Sequence, residues 1–223
     1  MADQGKFVFP RWANYLLPLI VVGAIGGALY VPALFATGAS AKTVAAGYQP
    51  QQPVPYSHAV HAGRLGIDCR YCHTTVETSA FAALPPTQVC MNCHTGIKPD
   101  SPNLKPIMES WKSGMPVQWV RVHRLPDYVF FNHSAHVSHG VGCTSCHGRI
   151  DQMDEVYQDQ PLSMGWCLEC HREPEKFLRP RELVTNMAYK KTPEEQLEIG
   201  RKLKAEYGIH DVAYMTSCYT CHR

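Results

Sequence analysis

An apolar run opens the chain, and nothing like it recurs. Trp12 to Ala36 carry no charge over 25 positions and include Leu16, Leu17, Leu19, Ile20, Val21, Val22, Ile25 and Leu29. About 20 apolar residues suffice for a helix to cross a bilayer, so residues 12–36 are expected to span one with some tilt. Pro18 and Pro32 fall near the ends of the run, where a helix tolerates them better. Gly23, Gly26 and Gly27 either form a small-residue face for a neighbouring helix or simply sit in lipid. Lys6 and Arg11 precede the span, which puts residues 1–11 in the cytoplasm and the rest outside, a single pass through the inner membrane. A cleaved signal peptide is the competing reading, because Ala39-Ser40-Ala41 resembles a cleavage site. The apolar run exceeds a usual signal core in length, which favours an uncleaved anchor.

Beyond the span the pattern is irregular. Residues 37–55, rich in Ala, Gly, Gln and Pro, read as a linker. One helix is clearly written further on. Thr192-Pro-Glu-Glu195 is a capping box with proline at the first helical position; Leu197, Gly200, Leu203 and Tyr207 share a face, and Gly208 supplies the stop. No stretch shows sustained strand alternation. The expected fold class is therefore mostly α and irregular: short helices and Pro-rich loops follow the N-terminal transmembrane helix.

An internal repeat organises residues 56–223, the extracytoplasmic domain. Tyr56-Ser-His58-Ala-Val-His61 precedes Cys69, and Phe131-Asn-His133-Ser-Ala-His136 precedes Cys143 in the same way. Each is followed by two cysteine pairs whose first cysteines lie 21 and 24 residues apart. Two modules result, about 56–100 and 129–175, with one further motif at 218–222.

Composition adds little until the cysteines are placed. The net charge of +2 is too small to point to nucleic acid. The 10 cysteines invite a disulfide or zinc reading, but their spacing decides otherwise. All fall in Cys-x-x-Cys-His motifs: Cys69/Cys72/His73, Cys90/Cys93/His94, Cys143/Cys146/His147, Cys167/Cys170/His171 and Cys218/Cys221/His222. Zinc ribbons share the Cys-x-x-Cys spacing but have no reason to demand the histidine. Histidine is 12 of 223 residues, so five chance placements have odds on the order of one in a million. The motif is that of covalent haem attachment, in which the cysteines form thioethers and the histidine binds iron. Five haems would add roughly ten propionate charges, so the loaded protein is expected to be acidic despite its basic sequence. With so little protein per haem, the porphyrins themselves are expected to supply much of the apolar core.

Sixth ligands are plentiful. His58, His61, His123, His133 and His136 are the leading candidates, with His139 and His210 behind them. His58 and His61 are three apart, as are His133 and His136. A motif histidine already holds one face of its iron, so both members of a pair cannot serve one haem. Side chains three apart on a helix have Cβ atoms about 5–6 Å apart, so haems bound to one pair must be close neighbours. His58 and His133 are expected to serve the haems at Cys69/Cys72 and Cys143/Cys146, and His61 and His136 to reach haems attached elsewhere. Met153 and Met164 are the methionine alternatives, which would raise a haem's potential.

The segment Trp119 to His136, then Cys143 to Gly148, then Met164-Gly-Trp-Cys-Leu-Glu-Cys-His171, resembles the pentahaem cytochrome subunit of bacterial alternative complex III, a quinol-oxidising assembly. The five motifs and single N-terminal span extend the resemblance over nearly the whole chain. The paired histidines are less specific and also resemble the small cytochromes of the c3 and c7 kind. The resemblance implies an iron–sulfur partner, multi-span quinol-binding subunits and a monohaem cytochrome c. It implies an electron-transfer subunit, itself not catalytic, that relays electrons from quinol to a periplasmic acceptor. Two alternatives stay open: a self-contained membrane-anchored quinol dehydrogenase, and a multihaem reductase with an open iron. The second needs a five-coordinate haem, often marked by an altered motif, whereas all five motifs here are regular.

Overall fold

A computed structural model describes residues 9–38 and 45–222. Lys6 and Ala39-Ser40-Ala41 lie outside the described residues. The chain divides into two compact units between Val44 and Ala45.

The first unit holds helix α1, Ala13–Gly38, which runs unbroken through Pro18 and Pro32. Its stretch Ala13–Thr37 has mean hydropathy 2.2 and buries none of its length against protein. By length and composition it is one helix able to cross a membrane, a property a signal sequence shares.

The second unit contains no named strand among the described residues; one isolated antiparallel bridge joins Val141 to Leu178. Nine short α-helices lie among its described residues: α2 (Cys69–Cys72), α3 (Thr87–His94), α4 (Lys105–Ser113), α5 (His133–Ser138), α6 (Thr144–His147), α7 (Met164–Arg172), α8 (Pro193–Glu206), α9 (Val212–Met215) and α10 (Cys218–Cys221). A π-helical segment, Ala59–Arg64, precedes α2.

The expected linker 37–55 is not a free spacer at its C-terminal end. Gly47 donates its amide to the Gln158 carbonyl, and Gln158 donates to that of Tyr48. Gln52 exchanges two hydrogen bonds with the backbone of Val120, at 2.8 and 3.0 Å. Val54 is buried with Met91 and Ile107 in an apolar cluster flanked by Leu104, Met108, Val117 and Trp119. Glutamine and proline made this stretch read as polar spacer, yet the glutamine amides pair with distant backbone, which a composition argument cannot register.

The capping box of α8 is present in full. Thr192 accepts from the Glu195 amide and Glu195 accepts from that of Thr192. Gly200 faces the backbone of Glu175 so closely that any Cβ would strike its carbonyl, and the Gln196 amide nitrogen donates to the Glu175 and Leu178 carbonyls. Helix α8 thus clamps segment 174–179 against the third motif. There the buried Arg179 donates to Thr144 Oγ1 at 3.0 Å and to the Asn186 carbonyl at 3.1 Å.

Only nine apolar side chains besides Pro174 are buried among the described residues. A domain of this size ordinarily hides far more, so most of the interior is left to groups other than protein side chains.

Candidate haem sites

The two paired-histidine segments repeat in three dimensions. In the first, the Tyr56 ring stacks on His61 at 4.4 Å and meets His58 edge-on at 4.8 Å. In the second, Phe131 stacks on His136 at 4.6 Å and meets His133 edge-on at 4.8 Å. One aromatic ring wedges each pair apart and fixes both orientations. The outer histidine is also held by its own turn: His61 Nδ1–H donates to the Ser57 carbonyl at 2.8 Å, and His136 Nδ1–H to that of Asn132 at 2.7 Å. With Nδ1 engaged, Nε2 is left as the lone-pair donor.

The motif histidines are oriented in the same manner. Nδ1–H donates to a backbone carbonyl from His73 to Ala83 (2.8 Å), from His94 to Ile97 (2.9 Å), from His171 to Met215 (2.9 Å) and from His222 to Tyr128 (3.0 Å). His147 differs: its Nδ1 is buried and has no partner. His58 Nδ1 and His123 Nε2 share that condition.

A metal–imidazole bond of about 2 Å plus a ring radius of about 1.1 Å on each side puts two imidazoles on opposite faces of one iron about 6.3 Å apart. His61 and His94 have centroids 6.3 Å apart, and His136 and His171 6.2 Å. His133 and His147 stand 6.4 Å apart with ring planes within 10°. These separations fit a haem iron between the rings. His123 is 4.4 Å from His147, edge to face, too close for those two to oppose one another across an iron.

Electrostatics favours the ligand form. Burial, then the charges of His73 and His61, lowers His58 to about 4. Burial is also the leading cause that pulls His123, His133 and His136 down. His147 falls to about 3, through burial and then its histidine neighbours. These rings stay neutral at physiological pH, as a metal ligand must.

All ten cysteines are free thiols rather than disulfides. The Cys69 thiol lies against that of Cys143; this contact lowers Cys69 to about 7 and, with burial, drives Cys143 up. Unpaired thiols beside neutral histidines, large gaps between imidazoles and a thin protein core suit covalent haem.

Of the remaining candidates, Met153 is buried and its carbonyl accepts from the Ala59 amide, while Met164 is exposed at the start of α7. His139 Nδ1 binds the Ala135 carbonyl, and His210 packs on Tyr214 at 4.1 Å. Tyr56, Phe131 and the carbonyl acceptors are functional features that motif reading missed. The aromatic at the same place before each histidine pair was the available signal for the first two; a backbone carbonyl has none.

The family of cytochrome c7 and related cytochrome c matches residues 129–223. The chain is also 32% identical over 144 residues to the menaquinone reductase multihaem cytochrome c subunit of Nitratidesulfovibrio vulgaris Hildenborough, an alignment covering 55% of this chain and 69% of that protein. With the site geometry, these matches define the molecule as a multihaem cytochrome c carrying c-type haems. More narrowly, the chain belongs to the family of that multihaem subunit, with a c7-type region in its C-terminal part.

Proposed function

We propose that this chain is the electron-transfer subunit of a membrane quinol:acceptor oxidoreductase and holds five c-type haems. The observation that carries the reading is the repeated pair geometry. Each paired-histidine segment sets its outer ring about 6.2–6.3 Å from the histidine of its module's second motif.

On this reading Cys69/Cys72, Cys90/Cys93, Cys143/Cys146, Cys167/Cys170 and Cys218/Cys221 tether the five groups. His73, His94, His147, His171 and His222 would each supply one ligand to an iron. The second ligands would be His61 with His94, His133 with His147 and His136 with His171, with His58 assigned to the His73 iron by its place in the repeat. For His222 the candidates are His123, Met153, Met164, His139 and His210. His123 packs against His147 rather than opposing it. The bound haems supply reversible one-electron redox chemistry. The protein holds the rings, strengthens four motif histidines as donors through their Nδ1–H bonds, and excludes water with Tyr56 and Phe131.

Helix α1 anchors the chain in the inner membrane with the haem domain on the periplasmic side. The partners are those of alternative complex III: an iron–sulfur protein, multi-span quinol-binding subunits and a monohaem cytochrome c. The relative's name, menaquinone reductase, favours a second reading in which the same relay runs toward quinone.

One experiment separates these. The haems should be reduced by a quinol analogue in the native complex purified in mild detergent, and should not be in the isolated chain. Reduction of the isolated chain would instead make it a self-contained dehydrogenase. If pre-reduced haems in the complex are reoxidised by quinone while quinol leaves oxidised haems untouched, the electrons flow toward quinone.

A further inference from the structure

Sequence order and spatial order diverge in this chain, and contacts between the motifs show where. Asn92, inside the second motif, donates to the Tyr71 hydroxyl, inside the first, at 3.1 Å. The first motif meets the third through adjacent residues of one loop. Thr185 Oγ1 donates to Asp68, which precedes Cys69, and the Cys143 amide donates to the Val184 carbonyl, both at 3.0 Å.

The paired-histidine segments also cross over here. The Ala59 amide binds the Met153 carbonyl just beyond the third motif, and the His133 amide binds the Ala80 carbonyl just beyond the first, at 3.0 and 3.1 Å. Each module therefore packs on the loop that follows the other's leading motif. The arrangement is reciprocal, as a pseudo-twofold axis between the modules requires.

Third and fourth motifs meet through α5, whose His133 and His136 stand across from His147 and His171. Fourth and fifth meet where His171 Nδ1 donates to the Met215 carbonyl, three residues before Cys218, and α7 packs on α9. The two exposed cysteines are Cys93, in the second motif, and Cys218, in the fifth.

We infer that the haem-attachment sites form a single file in the order second, first, third, fourth, fifth. The two modules join head to head through their leading motifs, and the ends of the file lie at Cys90–His94 and Cys218–His222. Electrons enter and leave at those two ends, so the N-terminal-most motif is internal to the path. The inference rests on the five-haem reading above.

The test is to locate the irons in the holoprotein by anomalous scattering at the iron edge, within the purified complex or the full chain. The iron at His73 should have those at His94 and His147 as its two nearest neighbours, and the irons at His94 and His222 should be the farthest apart. Five irons with the His94 iron nearest that at His147, or with His73 at an end, would overturn the order and leave the five-haem reading intact. Fewer than five irons would overturn that reading itself.

Discussion

Replacing His61 by alanine is expected to turn one low-spin haem high-spin and to lower the melting temperature of the holoprotein. His61 stands 6.3 Å from His94, with its Nδ1 bound to the Ser57 carbonyl and its ring stacked on Tyr56. Removal opens a coordination position and leaves a cavity beside Tyr56. Truncating this half-buried ring, with the lost ligand bond, costs about 2–4 kcal/mol. In a chain of this length that is roughly 5–15 °C. Electron paramagnetic resonance should show about one fifth of the low-spin intensity lost, and the reduced variant should bind carbon monoxide at one haem where the parent binds none. His136→Ala should behave alike through His171. An unchanged low-spin spectrum in the His61 variant would refute the paired-ligand geometry.

Gly63→Ala is expected to be nearly as damaging, although Gly63 touches no haem ligand. A Cβ there would lie 2.3 Å from the Asp151 carbonyl oxygen, a backbone atom that cannot swing away. The π-helical segment must then lift off the loop beyond the third motif, which breaks the bond from the Ala59 amide to the Met153 carbonyl. Overpacking of this kind costs about 1–3 kcal/mol. His61 sits on that same segment, so thermal melting and the low-spin signal should shift together. Gly66→Ala is the contrast: nothing lies within 4 Å of the added methyl, and its only penalty is a positive φ of 66°.

The chemistry was more legible than the architecture. Five Cys-x-x-Cys-His motifs and two histidine pairs declare themselves because thioether attachment and axial ligation demand fixed residues at fixed spacings. The capping box at Thr192 was equally plain, being a local hydrogen-bond pattern among four consecutive residues. The apolar run read as a helix, and α1 is one. What stayed hidden is long-range and carried by backbone. Nothing in the residue types at Ala83, Ile97, Met215 or Tyr128 says that their carbonyls orient motif histidines. The packing of 45–55 onto 120 and 158 was masked by its spacer-like composition. His123 illustrates the limit from the other side: a spare histidine suits the ligand role, but spacing along the chain does not say that it stands 4.4 Å from His147 and so cannot share that iron.

The most direct test of the central claim, five covalently attached haems, is the intact mass of the mature protein after denaturation. Each haem held by two thioethers adds about 0.6 kDa, so the chain should exceed its 25.0 kDa polypeptide mass by about 3 kDa and keep that excess in acid and organic solvent. An excess for four haems or fewer, or a bare polypeptide that releases zinc, would contradict the account.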